Sequence, residues 1–77
     1  MPDAAAIGSS AVDIDARGLK CPWPALRLAR TMRDSEAAII VADDPIAPSE
    51  LAALADERGW RIDALETEIG PGWRVSR

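Results

Sequence analysis

The hydrophobic period of this chain switches repeatedly along its length, and the order of the switches leaves few folds open. Val12 and Ile14 alternate with Asp13 and Asp15, the period-two pattern of a strand with one wet face. Pro22 suits the first position of a helix, where its missing N–H costs nothing, and Ala25, Leu28, Ala29 and Met32 follow at helical spacing. The spacing predicts a helix of about three turns over 22–33. Ala37-Ala38-Ile39-Ile40-Val41-Ala42 is a continuous, β-branched apolar run of the kind found in inner strands, and Asp43-Asp44-Pro45 ends it. A second helix is expected from Pro48 or Ser49 to Arg58, burying Leu51, Leu54 and Ala55 before Gly59 closes it. Trp60, Ile62 and Ala64, then Trp73 and Val75, return to period two around the turn chemistry of Ile69-Gly70-Pro71-Gly72, so the chain should end in a hairpin. The resulting order is βαβαββ. Right-handed crossovers then predict an α/β two-layer sandwich of the α+β kind, a four-stranded mixed sheet with two helices on one face.

Seventy-seven residues suffice for one small core, so a single domain is expected over 11–77. Residues 1–10 lack the basic and long apolar regions of a secretory signal and read as a flexible tail. No apolar stretch reaches membrane-spanning length, and one cysteine cannot form an internal disulfide; together these predict no membrane association and a reducing cytoplasm. The net charge of −4 argues against stable nucleic-acid binding. That charge is unevenly spread. Between Ala16 and Arg33 there is no acid but there are five bases, Arg17, Lys20, Arg27, Arg30 and Arg33, and this basic segment contains the only cysteine.

If the first helix begins at Pro22, Cys21 is its N-cap, and its sulfur lies where free backbone N–H groups and the positive end of the helix dipole converge. Pro22 and Pro24 have no N–H, so the Trp23 amide is the donor expected to meet the sulfur. Arg17 and Lys20 are near in sequence, and bases at a helix N-terminus lower a thiol pKa, so an available thiolate is expected. Cysteine is also a common packing residue, and the Cys-Pro-Trp-Pro run alone leaves reactive and structural roles both open. Composition narrows the chemistry. With no histidine a Cys-His hydrolase is excluded, and with one cysteine neither a Cys-x-x-Cys redox pair nor a thiolate-rich metal site can be built. A lone reactive thiol can still carry a group, be modified, or pair with another protein.

The stretch Asp15-Ala16-Arg17-Gly18-Leu19-Lys20-Cys21-Pro22-Trp23-Pro24 resembles the signature of the TusA/SirA family of sulfur carriers. Asp43-Asp44-Pro45, Glu50-Leu51 and Gly59 fall at spacings similar to that family's later motifs, so the resemblance spans Val12 to the C-terminus. It implies the same βαβαββ sandwich and a sulfurtransferase in which Cys21 accepts a sulfane sulfur as a persulfide. The implied donor is a cysteine desulfurase or a rhodanese-like protein, and the implied acceptor is a protein with a reactive cysteine. The resemblance implies no cofactor beyond the transient persulfide and no metal, with tRNA thiolation, molybdenum cofactor synthesis or sulfur oxidation as the processes served. Pro22, Pro24, Trp23, Gly18, Arg17 and Lys20 are the expected supporting residues. The chain departs from the family where Trp23 stands between the prolines, where Ala52 replaces a frequent proline, and where Trp60 replaces a frequent histidine.

Other features have plainer readings beside the functional ones. Trp23 is expected to pack on the core or its rim ahead of serving as a docking anchor. Asp43 and Asp44 read as turn chemistry ahead of partner or sulfur positioning. The row Arg27, Arg30 and Arg33 reads as a solvated helix face ahead of a contact for an acidic partner or RNA, with protein ahead of nucleic acid because of the acidic balance. The rival to sulfur carriage is a non-catalytic interaction or regulatory module in which Cys21 packs and the basic helix or Trp23 binds a partner protein.

Overall fold

A computed structural model describes residues 11–77. The tail expected over 1–10 lies outside the described residues. The elements follow the expected order: β1 (Ile14–Asp15), α1 (Trp23–Thr31), β2 (Ala37–Val41), α2 (Ala47–Arg58), β3 (Arg61–Thr67) and β4 (Gly70–Ser76). The strands form one mixed sheet in the order β1-β2-β4-β3. β2 runs parallel to β1, with Ile14 opposite Ile40, and antiparallel to β4, whose other edge pairs with β3. The apolar run of β2 is thus an inner strand, as its continuous hydrophobicity requires.

Helical spacing decides which side chains reach the sheet. Leu28 and Met32 from the α1 segment and Leu51 from α2 are fully buried against Ile14, Ile40 and Val75. Each such burial contributes about 1.5–3 kcal/mol of apolar transfer free energy. Pro24 is buried as well, so the second proline of Cys-Pro-Trp-Pro is a packing residue. α1 is shorter than the expected 22–33, since its end is closed early. The Met32 N–H makes the last regular bond, to the Leu28 carbonyl; the Arg33 and Asp34 amides then donate to the Arg30 and Thr31 carbonyls, only three residues back, and the Arg77 guanidinium donates to the Met32 carbonyl. α2 ends as expected at Gly59, whose φ of 75° is left-handed, and the Trp60 N–H donates to the Ala55 carbonyl at 2.8 Å.

The hairpin turn falls earlier than the glycines suggest. The turn residues are Glu68 and Ile69, and Gly70-Pro71-Gly72 belongs to β4. Thr67 fixes the turn: its hydroxyl donates to the Gly70 carbonyl at 2.7 Å and accepts from the Ile69 N–H at 3.2 Å. Pro71 is tolerated because β2 pairs with β4 only as far as Gly72, so no carbonyl of β2 awaits a Pro71 N–H. Gly72 is needed for its size. A Cβ there would lie 2.6 Å from the Ile40 carbonyl oxygen and 3.0 Å from a Val41 methyl, and neither β2 backbone nor the buried Val41 has room to yield. Gly72→Ala is expected to destabilise the fold by about 1–3 kcal/mol, read as a lower urea midpoint by circular dichroism with an unchanged slope.

Candidate functional site

Parallel pairing of β1 and β2 sends the loops that follow them off the same end of the sheet. The Ala16 N–H continues the pairing by donating to the Val41 carbonyl at 2.8 Å. Past this point side chains take over. Asp43 Oδ1 accepts from the Gly18 N–H at 2.9 Å, and Asp44 Oδ2 accepts from the Cys21 N–H at 2.8 Å. Gly18 has a φ of 83°, a conformation that favours glycine and turns the loop back toward β2. Asp44 also makes the turn expected of Asp before Pro, its carbonyl accepting from the Ala47 N–H at 2.9 Å. The Asp-Asp-Pro segment therefore does both things: it turns the chain into α2, and it holds the cysteine loop by two backbone amides.

Cys21 is half-exposed and is not the helix cap. Pro22 occupies that position with no side-chain capping bond, and the Leu26 N–H donates to the Pro22 carbonyl at 3.1 Å. The Trp23 amide expected to meet the sulfur donates to the Lys20 carbonyl at 2.8 Å. A tight turn closes over 20–23 before the helix starts, which withdraws that donor from the thiol. The Cys21–Pro22 peptide bond is cis.

The electrostatics also reverse the expectation. Glu50, in the first turn of α2, acts most strongly on the Cys21 thiol: its carboxylate favours the protonated form and pushes the pKa above the ordinary thiol value, with burial and the charge of Asp44 acting in the same direction. Arg17 does not offset this. Its guanidinium pairs with Asp15 at 2.9 Å through two parallel bonds, which lowers the Asp15 pKa and raises its own, and the charge of Asp43 adds to that hold. Lys20 is exposed and meets the site through its carbonyl. Bases near in sequence are thus outweighed by carboxylates near in space.

Trp23 is likewise misplaced by the core reading. It is 57% exposed, and Leu26, one helical turn along, is 52% exposed. Together with Arg27 and Arg30 they line a shallow groove on the outer side of α1. Trp60 and Trp73, by contrast, pack partly buried against the core. On the other side of Leu26 an open cleft of about 480 Å³ lies between α1 and α2, apolar through Pro22, Leu26 and Leu54 and charged through Glu50 and Glu57. Among the described residues no group of three or more His, Cys, Asp or Glu side chains could hold a metal, and no helix is long and apolar enough to cross a membrane.

Glu50 is the site residue that local pattern reading missed as a partner of the thiol. Its position beside Leu51 in a motif-like pair was visible, but its approach to Cys21 depends on how α2 packs on α1.

Comparisons with known proteins agree with this architecture. The family described as Sulfurtransferase TusA matches residues 12–76. A crystal structure of a SirA-like protein from Desulfitobacterium hafniense superposes with a TM-score of 0.64 at 24% identity, covering 82% of this chain and 90% of that one, and shares its fold.

The raised thiol pKa has a direct kinetic signature. The thiolate is the reactive form, so iodoacetamide alkylation of Cys21 at neutral pH should be slower than that of an unstructured cysteine. Its rate should keep rising with pH past the point where a free thiol levels off, as stopped alkylation with intact-mass readout will show.

Proposed function

The chain belongs to the TusA sulfurtransferase family, and within it we propose that Cys21 is the sulfur-carrying residue, loaded as a persulfide and unloaded onto an acceptor protein's cysteine. The observation that carries this reading is the presentation of the thiol. Cys21 is half-exposed at the sheet end where two loops meet, and its own N–H is anchored by Asp44 rather than left to a mobile loop. A packing cysteine would be buried among the apolar residues of the core, and this one is outside that cluster.

The relay needs only thiol chemistry. Cys21 thiolate attacks the terminal sulfur of a donor persulfide, forming a new S–S bond as the donor cysteine leaves as thiolate. An acceptor thiolate then attacks the terminal sulfur on Cys21, and Cys21 leaves in turn. One sulfur atom moves at each step and no net oxidation occurs. The other cysteines come from a cysteine desulfurase or rhodanese-like donor and from the acceptor. No resident cofactor is required on this chain. The groove of Trp23, Leu26, Arg27 and Arg30 is suited to hold such a partner: an exposed tryptophan beside two arginines, on a helix without acids, fits an apolar-tipped acidic surface.

Incubation with a cysteine desulfurase, cysteine and pyridoxal phosphate, or with thiosulfate and a rhodanese, should add one sulfur atom to the intact mass. The addition should be reversed by reductant and absent in Cys21→Ser. Trp23→Ala should slow loading by about tenfold while leaving the far-ultraviolet spectrum unchanged. A chain that stays unloaded with every donor would sink the carrier reading and favour a binding module.

A further inference from the structure

The outer groove lies on one side of α1; the larger opening lies on the other, and its chemistry is opposite. The α1–α2 cleft is apolar along Pro22, Leu26 and Leu54, and both of its charged lining residues are acids, Glu50 and Glu57. Among the described residues no base lines it, although α1 itself carries Arg27 and Arg30, because those two arginines belong to the outer groove. Glu50 lines the cleft together with Pro22, the neighbour of Cys21, and its carboxylate favours the protonated thiol. Whatever fills the cleft therefore meets a carboxylate that acts on the Cys21 thiol.

Resting on the carrier reading above, we propose that the α1–α2 cleft is the docking site for a cationic, apolar segment of a sulfur-relay partner, and that pairing of its positive charge with Glu50 frees the Cys21 thiol to react. Charge complementarity selects the occupant. An acidic segment would meet two carboxylates, with Asp44 close behind on the Cys21 amide, whereas a segment with lysine or arginine beside leucine-like residues matches both the walls and the charge. Among the described residues the charged groups that act on Cys21 are Glu50 from α2 and Asp44 from the loop before it; Arg17 is committed to Asp15. A cation on Glu50 offsets its effect on the thiol, the proton passes to solvent or to a base of the partner, and the thiolate fraction rises. The carrier is thus quiet alone and reactive when docked.

Two blocked pentapeptides test this, Arg-Leu-Cys-Leu-Arg and Glu-Leu-Cys-Leu-Glu, each activated as the 2-thiopyridyl disulfide. Cys21 thiolate attacks the peptide cysteine sulfur, a mixed disulfide forms, and pyridine-2-thione leaves and is read by absorbance. Each rate is divided by that of the same peptide with 2-mercaptoethanol, which removes the peptides' intrinsic difference. The cationic peptide is expected to react about tenfold faster than the anionic one at low ionic strength. The double variant Glu50→Gln/Glu57→Gln should bring the ratio near one, whereas Glu66→Gln on the distant strand β3 should leave it intact. Leu26→Ser, at an exposed position, should slow both peptides several-fold if the segment lies in the cleft. A normalised ratio at or below one, a ratio that survives the double variant, or rates indifferent to Leu26→Ser would each overturn the proposal. Persulfide loading by a desulfurase would still be intact in those cases, so failure here is separable from failure of the carrier reading.

Discussion

Two carboxylates on one loop holding two amides on another are the constraint from which the rest of the site follows. Gly18 and Cys21 donate to Asp43 and Asp44 across 25 and 23 residues of chain respectively. These bonds can form because β1 and β2 run parallel and deliver both loops to the same end of the sheet. Charge-assisted hydrogen bonds of this kind contribute about 1.5–3 kcal/mol each where they are shielded, and less where water competes. Their larger effect is positional. They fix the residue before Pro22, and hence the direction in which α1 leaves and the side on which the thiol emerges.

Much of the fold was legible because its determinants are local. Periodicity located all six elements, Pro22 and Gly59 marked a helix start and a helix end, and the apolar run 37–42 identified the inner strand. The errors came where two local rules compete or where a non-local contact decides. Gly70 and Gly72 look like turn residues, yet the Thr67 hydroxyl makes the turn at Glu68 and Ile69, and Gly72 is present because β2 passes too closely for a side chain. Trp23 looks like core by composition, yet Pro24 takes the buried position at the start of α1 and turns the tryptophan outward.

The site shows the same division more sharply. That Cys21 is the distinctive group was readable from its flanking prolines and from the absence of histidine and other cysteines. Its electrostatics were not readable. Sequence proximity put Arg17 and Lys20 beside the thiol, but a side chain two residues away takes Arg17, and the chain fold brings the charges of Glu50 and Asp44 to bear on the sulfur. Charge neighbours in a small α/β protein are set by which loops share a sheet end and which helices share a face, and those are topological facts.

A carboxylate beside the proposed transfer cysteine works against the chemistry in one respect, since it reduces the thiolate fraction. A thiolate of higher pKa is the better nucleophile per ion but the poorer leaving group, with rates depending on pKa with a Brønsted slope of about 0.4–0.5 for attack. In the proposed relay Cys21 is the nucleophile during loading and the leaving group during unloading, and at neutral pH a lowered pKa helps both, by raising the attacking fraction and by easing departure. In the proposed switch, a group whose influence is cancelled on docking separates two states: a thiolate fraction held low when free, and raised when a partner neutralises Glu50. On the proposed relay, the same partner-supplied cation raises the attacking fraction during capture and stabilises the departing thiolate during release. Placing that carboxylate on α2, in a cleft that a partner can fill, keeps the switch accessible without moving the backbone that Asp43 and Asp44 hold in place.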